Sequence, residues 1–316
     1  MPVPQPSLRI ASLLASATEM LYALGVGDQV VAISHECDFP AEAINKPRVT
    51  ASYVAAPTSG EIDDQVREML AAGQPLYGID AQAVATLAPD LIITQAQCDV
   101  CAVKYQDVLD LVAQNVTLGE TQVVALNPTT LEEIFADILR VGQAIGRDQA
   151  ATDYVASLRA RVEVVRAGAK AAAGKRPRVA CVEWIDPLML AANWMPQLVE
   201  LAGGVQPQTA HGRHSTYSDW EDVTRFDPEV LIVMPCGFDL ARAIAESHTL
   251  QSQPGWQDLS AVRSGRVYAV DGNAYFNRSG PRIVDSLEIL AGLLHPDQFG
   301  LPPEVIAGAA VWKAIA

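Results

Sequence analysis

Two thiols three residues apart, Cys98-Asp99-Val100-Cys101, stand in a chain with five cysteines. A pair at that spacing can chelate one metal ion, edge an Fe–S cluster, or work as a redox couple. A zinc signature uses two such pairs, and this chain has one. His35 and Cys37 share the segment His35-Glu36-Cys37-Asp38-Phe39-Pro40, and Cys236 lies in Pro235-Cys236-Gly237-Phe238. Taken singly, Cys37 and Cys236 read as core packing at strand ends, because free cysteine behaves as a small buried hydrophobe. His35 alone reads as a turn histidine bonded to backbone. Taken together, Cys37, Cys98, Cys101 and Cys236 form a candidate ligand set for Zn or an Fe–S cluster. His211 and His214, in His-Gly-Arg-His-Ser, read as exposed loop residues. The sequence carries no GxSxG elbow, no Walker loop, no GxGxxG after a strand and no HExxH, so no catalytic role is assigned.

The elements that must position these residues alternate. Arg9 to Leu14 is a short apolar run, followed by Ala15 to Glu19 and by Met20, Leu21 and Leu24 at helical spacing until Gly25 and Gly27. Gln29 to Ser34 is a β-branched strand, Asp80 to Leu87 a short amphipathic helix, and Leu91 to Thr94 a strand that runs into Gln95 to Cys101. Strands alternating with helices predict a parallel sheet. In such a sheet ligands sit outside the carboxyl ends of the strands. Four of the five cysteines fall in post-strand loops on this reading, and Cys181 falls inside a strand.

A repeat supports two such sheets. Asp80 to Gln95 aligns without a gap, at an offset of 139, to Asp219 to Met234, matching Val84 with Val223, Leu87 with Phe226 and Pro89 with Pro228. Between the halves, Asp148 to Ala173 has no proline and places Tyr154, Leu158, Val162 and Val165 on one face; Gly174 to Pro177 stops it. This predicts one long helix joining two lobes. The second lobe is expected to open with the strand Val179 to Glu183, pass through Trp184 to Trp194 into a helix ending at Leu201, and include the strand Val267 to Val270. The loop Asp271 to Arg278 and a helix from Arg282 to Leu294 close it. The boundaries expected are 1–147 for a first α/β lobe, 148–174 for the linking helix and 175–316 for a second α/β lobe.

Composition agrees with a folded chain of this size. There are 316 residues, enough for two cores, half of them hydrophobic and 19% charged. Lys and Arg number 22 against 37 Asp and Glu, a net charge of −15. That balance argues against nucleic acid or an anionic membrane as partner. The best apolar window, Ile10 to Leu24, is interrupted by Glu19 and three hydroxyl residues, so no spanning segment is read. With Pro2, Pro4 and Pro6 before it and only Arg9 nearby, no signal peptide is read either, and reduced thiols in a cytoplasmic chain are expected. A monomer is expected.

The order and spacing of Arg9-IASLLASATE, Val30-VAISHECDFP, Val84-ATLAPDLIIT, the long helix, Val199-ELAGG, Trp220-EDVTRFDPEVLIV and Asn277-RSGPRIV resemble the helix-linked (class III) periplasmic substrate-binding proteins. Within that superfamily the similarity is greatest to the cobalamin (vitamin B12)-binding proteins of ABC importers. The resemblance covers roughly Arg9 to Leu294. It implies an α/β fold of two Rossmann-like parallel-sheet lobes joined by one long α-helix, with the ligand cleft between the lobes. It implies capture of a corrinoid, a small-molecule ligand, for an ABC permease in the periplasm. A corrin is a large flat ring with amide arms, so its site needs aromatic walls and hydrogen-bonding groups, with an imidazole or thiolate able to reach cobalt. The walls assigned are Trp184, Trp194, Phe238, Tyr275 and Phe276. The polar contacts are Ser16, Thr18, Glu36, Gln95, Glu183, Asn273, Asn277 and Arg278, and His35 or Cys37 is placed to reach the metal. The resemblance maps Tyr275 to Arg278 onto the family's ligand-contacting loop, and Glu200, with Glu61 as its partner on the first lobe, onto permease docking. Cysteines stand here where the family has aromatic or small polar residues, so a cytosolic metalloprotein or redox enzyme on the same scaffold stays open as the alternative. An anionic ferric siderophore is less favoured, because Arg278 and Arg282 are the main cations offered.

Overall fold

The computed structural model describes residues 8–96, 100, 102–172, 176–306, 309–310 and 312–315. The chain divides into two compact units. Unit 1 is Met1–Ala56, Asp64–Pro128 and Glu133–Ala156; unit 2 is Pro57–Asp63, Thr129–Glu132 and Ser157–Ala316.

Unit 1 is built on β1 (Ile10–Ser12), β2 (Val30–Ile33), β5 (Leu91–Gln95) and β6 (Gln122–Leu126), hydrogen-bonded in the order β2-β1-β5-β6. All three pairings are parallel. Helices α1 (Ala15–Ala23), α3 (Ala81–Leu87), α4 (Tyr105–Gln114) and most of α5 (Leu131–Ala144) belong to it, and β3 (Thr50–Ser52) pairs antiparallel with β4 (Tyr77–Ile79). Strands covered on both faces read as unbroken apolar runs rather than as alternation, and every residue of β1 and β5 is buried. Ala11, Ala32, Val84, Ile92, Val108 and Leu118 share one core cluster.

Unit 2 holds a six-stranded sheet in the order β14-β11-β10-β7-β8-β9. Its parallel centre is β7 (Val179–Trp184), β10 (Val230–Val233) and β11 (Val267–Val270). The edges are antiparallel: β14 (Trp312–Ala314) on β11, and β8 (Met189–Leu190) with β9 (Thr216–Tyr217) beside β7. The sequence reading ran from the first strand of this lobe toward a helix; instead β8 intervenes, and α7 spans only Met195–Leu201. Two residues of β8 are too short a run to show a period. Helices α8 (Trp220–Phe226), α9 (Leu240–Ser247), α10 (Ser260–Arg263) and α11 (Ile283–Leu294) complete the layers.

The long helix exists: α6 runs Asp148–Ala171, 24 residues, or about 36 Å at 1.5 Å per residue. Its buried stripe is Ala151, Val155, Leu158, Val162 and Val165. Tyr154, expected on that face, is only half-buried, because Val155 takes the inward position. Arg161 on α6 is chelated by Asp285 and Glu288 of α11, with Nε 2.8 Å from Glu288 Oε1.

The repeat is reproduced residue for residue. α3 and α8 start and stop at positions 139 apart, and each ends on a residue in the left-handed region, Ala88 (φ 39°) and Asp227 (φ 49°). The inward residue of each, Val84 and Val223, is fully buried. One further match escaped the sequence. Arg9 Nε and Nη2 donate to the Leu87 carbonyl at 2.9 and 2.7 Å, and its backbone N–H donates to Asp90 Oδ2 at 2.8 Å. Arg178 Nε donates to the Phe226 and Asp227 carbonyls at 3.1 and 2.8 Å, and its N–H to Glu229 Oε2 at 3.1 Å. An arginine before the first strand thus clasps, in each unit, the carbonyl end of the helix that leads into the paired strand and the acid just before that strand.

Candidate functional site

In both units the loops that leave the carboxyl ends of the parallel strands are where ligand chemistry belongs. In unit 1 those after β1 and β2 are cross-linked by hydroxyls and a thiol. Thr18 is fully buried; its Oγ1 donates to Ser12 Oγ at 2.8 Å and lies 3.0 Å from Cys37 Sγ. Ser34 Oγ lies 3.2 Å from the same sulfur. Ser16 is buried at the start of α1, with Oγ making no hydrogen bond.

His35 follows at the loop tip. Its ring stacks on Tyr77 with centroids 5.5 Å apart and planes at 29°. Nδ1 is 2.7 Å from Thr50 Oγ1, which also accepts the His35 backbone N–H at 2.9 Å. Nε2 is buried, makes no hydrogen bond and lies 3.4 Å from the exposed Glu36 carboxylate. Burial pushes the His35 pKa below its ordinary value and Arg48 adds to that, while Glu36 opposes it. The imidazole is therefore neutral near pH 7, the form that can ligate a metal. Gln95 is buried, its Nε2 donating to the Val103 carbonyl at 3.3 Å. Tyr53, half-exposed, reaches over Gly78: a Cβ there would stand 2.2 Å from the Tyr53 hydroxyl. Tyr53, Tyr77 and Thr50 were not read from the sequence, and their signal was available as aromatics and a hydroxyl flanking a short β-prone pair of segments.

In unit 2 the aromatic set is mostly committed to structure. Phe238, Tyr275, Phe276 and Trp194 are all buried. Trp194 Nε1 donates to the Phe276 carbonyl at 2.9 Å. Trp184 is half-buried and meets the Phe238 ring edge-on at 5.4 Å, and the Arg242 guanidinium lies 3.7 Å over the Phe238 ring centre. Residues Gly272–Phe276 form a π-helical turn, a conformation that is rare and concentrated at functional places. It is held by Asp271 Oδ1 accepting from Ala274 N at 2.7 Å and by Asn277 Nδ2 donating to the Met234 carbonyl at 2.7 Å. Arg278 is buried and donates to Asn273 Oδ1 at 3.2 Å; Arg282 lies 5.2 Å over the Tyr275 ring. Burial raises the Asp271 pKa against the pull of the Ala274 N–H and Arg278, and burial raises that of Tyr275 against Arg282. Glu183 Oε2 accepts from Ser215 Oγ at 2.7 Å.

The structure thus brings Thr18 and Cys37 together in unit 1, and Trp184 with Phe238 and Trp194 with Phe276 in unit 2. The two glutamates expected at a permease lie on helices, but Glu61, expected on the first lobe, falls with Glu200 in unit 2, because the 57–63 segment packs with that unit. Glu200 is exposed on α7, 3.8 Å from Arg176. Glu61 sits in the first turn of α2 (Ser59–Ala71), where Oε2 accepts from Thr58 N and Oγ1 at 3.2 and 2.7 Å and Thr58 Oγ1 accepts from Glu61 N. That is a reciprocal capping box.

The expected thiol ligand set finds no support among the described residues. Among the described residues no group of three or more His, Cys, Asp and Glu side chains is arranged to hold a metal ion. Cys37 is turned into its hydroxyl cluster at zero exposure, and Cys236 is exposed on its loop. Cys98 and Cys101 lie outside the described residues. Among the described residues no helix is long and apolar enough to cross a membrane.

Residues 10–274 match the model of a family described as periplasmic binding protein. An uncharacterized ABC transporter substrate-binding lipoprotein of Bacillus subtilis is 23% identical over 92% of this chain and 81% of its own length. The vitamin B12-binding protein of Vibrio cholerae is 25% identical over 90% of this chain and 88% of its own. Among solved structures, the periplasmic vitamin B12-binding protein of Vibrio cholerae has a TM-score of 0.65 at 24% identity, covering 92% of this chain and 98% of that one. The apo periplasmic heme-binding protein of Roseiflexus has 0.68 at 22%, with the same coverage. The two-unit α/β architecture is shared with these structures, and the family is one of substrate-binding proteins rather than enzymes. The chain belongs to the periplasmic binding protein family.

Proposed function

We propose that this chain captures a corrinoid and hands it to an ABC permease. The observation that carries the reading is the match to vitamin B12-binding proteins along nine-tenths of the chain. The chemistry of the loops supports it. A heme or a ferric siderophore presents carboxylates or other anions that want guanidinium or ammonium partners. The arginines near the strand ends are already engaged: Arg48 on the His35 carbonyl at 2.6 Å, Arg242 over Phe238 and on the Pro57 carbonyl at 2.8 Å, Arg278 on Asn273, and Arg282 over Tyr275. What remains suits a large, uncharged ring with amide arms: the Trp184 face, the Tyr53–Tyr77–His35 group, and hydroxyl and amide side chains. His35 Nε2 is the group in unit 1 fit to approach a cobalt ion. Glu200, exposed on α7, is the docking carboxylate.

Equilibrium titration with cyanocobalamin and, separately, hemin tests this, read by tryptophan fluorescence and by the ligand's visible bands. Saturable one-to-one binding of cobalamin with weaker hemin binding is expected. Saturable hemin binding with no response to cobalamin refutes it.

A further inference from the structure

The 208–216 segment of unit 2 lines a recess of about 570 Å³, whose wall includes Thr129, Gln208, Thr209, Arg213, His214 and Thr216. None of these was assigned a role above. The rim is firmly tied. Asn193 N donates to the Arg213 carbonyl at 2.6 Å and Gly212 N to the Asn193 carbonyl at 2.9 Å. Thr209 Oγ1 and Gln206 Nε2 both donate to the Ala191 carbonyl, at 2.6 and 2.7 Å. Asn193 itself is held at φ 49°, a conformation asparagine tolerates better than most residues.

Fastened this way, the rim leaves amide groups without partners. Both Oε1 and Nε2 of Gln208 are buried and make no hydrogen bond, although the side chain lines the recess. Two more buried acceptors, Gln206 Oε1 and Asn193 Oδ1, are also unbonded; they belong to residues bonded to the same segment, Gln206 through its side chain and Asn193 through its backbone, and stand behind the recess wall rather than on it. Orphaned buried amides are rare in folded proteins and call for a partner that completes them. On the recess wall itself the orphans are one acceptor and one donor, both of Gln208. A carboxylate supplies no N–H and would leave the acceptor unpaired; a primary carboxamide supplies two N–H donors and one acceptor.

We infer that this recess receives a carboxamide arm of the ligand, with Gln208 Nε2 donating to the arm's carbonyl and Gln208 Oε1 accepting from its N–H. The inference rests on the corrinoid reading and deepens it: Gln208 becomes the residue that separates an amide-rimmed corrin from a carboxylate-rimmed tetrapyrrole. Arg213 on the rim is exposed, where a charge facing water adds little to anion affinity.

The test uses two corrinoid probes on the full chain: dicyanocobinamide, whose arms are amides, and cobyrinic acid, whose arms are carboxylates. The wild-type chain is expected to prefer cobinamide. Gln208→Met, similar in size but unable to pair with an amide, should raise the cobinamide dissociation constant about tenfold, the effect of one lost amide pairing, and move that of cobyrinic acid less than twofold. Gln208→Glu keeps an acceptor, loses the donor and should weaken cobyrinic acid more than cobinamide; it stands in if the Met variant fails to give a native near-ultraviolet spectrum. An unchanged ratio of the two constants in a folded Gln208 variant overturns the inference and leaves the corrinoid reading standing. A wild-type chain that binds neither probe overturns both.

Discussion

Replacing Asp137 by Asn should stabilise unit 1 in a pH-dependent way. Asp137 lies on α5 with its side chain 4% exposed; Oδ1 accepts from Arg140 Nη1 at 2.8 Å, and Oδ2 is buried without a hydrogen bond. Burial raises its pKa from 3.8 to about 6, against the opposing pull of Arg140 and the Asn127 backbone. The sign follows from that shift. A carboxyl whose folded pKa is raised favours the folded state fully below about pH 4, and that advantage is lost as pH climbs through about 6. A two-unit shift corresponds to a ceiling of about 3 kcal/mol, and screening of the half-exposed Arg140 side reduces it to about 1–2 kcal/mol. Asn keeps an acceptor for Arg140 and puts an uncharged N–H₂ where the unbonded oxygen stood. Other groups titrate alike in both proteins, so the difference isolates this one. Urea unfolding followed by far-ultraviolet circular dichroism should show the gain of Asp137→Asn widening by about 1–2 kcal/mol between pH 4.5 and 7.5. An equal difference at both pH values refutes the burial argument.

Arg178→Ala should cost unit 2 about 2 kcal/mol, since it frees two helix-end carbonyls and two carboxylates; all five tryptophans, at 184, 194, 220, 256 and 312, lie in that unit, so a fluorescence-detected midpoint that does not fall counts against the clasp. Gly272→Ala puts a Cβ 2.3 Å from the Pro235 carbonyl oxygen and 2.8 Å from Met234 backbone, neither of which can yield cheaply. It should lower stability by about 2 kcal/mol or more and weaken cobalamin binding about tenfold by shifting the π turn, and cobalamin titration with wild-type affinity would show the turn to be uninvolved. Iodoacetamide should modify Cys236 in the native protein, whereas Cys37 and Cys181 are buried, with burial also raising the Cys181 pKa, and should react only after denaturation. Peptide mass mapping decides this, and native labelling of Cys37 would mean that its hydroxyl cluster opens readily.

Much of the scaffold was legible because it obeys strong local rules. Val267 to Val270 and the α11 stop at Leu294 fall where the apolar pattern ends. The offset of 139 relates α3 to α8 at both ends, since both helices are bounded by an aspartate before and a Pro-acid turn after, and the helix read over Asp80 to Leu87 starts one residue later, at Ala81. The site was less legible. Thr18, Cys37, Phe276 and Trp194 have the residue types expected of ligand contacts, yet they face inward, and a post-strand loop carries no periodicity from which its inner side could be told. The thiols looked like a ligand set for the same reason: their placement in loops is a fact of sequence, while their direction is set by contacts such as Thr18 with Cys37, 19 residues apart. Gln208 gave no signal at all, since a glutamine becomes conspicuous only when its neighbours leave it unpaired.

The comparison of the two units shows where the chain keeps its constraints. At the amino ends of the strands the halves are nearly superimposable in detail: Arg9 with Asp90 against Arg178 with Glu229, Ala88 against Asp227 in the left-handed region, Pro89 against Pro228. At the carboxyl ends they share little. Unit 1 braces its loops with Ser12, Thr18, Ser34 and Cys37, and unit 2 uses a π turn pinned by Asn277 to the end of β10. A duplicated α/β unit needs the first set to close its sheet and is free to vary the second, because a loop beyond the strand end bears on ligand more than on folding. Positions that match at an offset of 139 are therefore scaffold, and those that fail to match, such as Gln95 against Met234, mark where each half turned to its own part in recognition. Arg9 and Arg178 fall outside that offset but make the same contacts at the amino ends of their sheets, so variants of either should alter stability with ligand preference intact, whereas a Gln208 variant should alter preference with stability nearly intact.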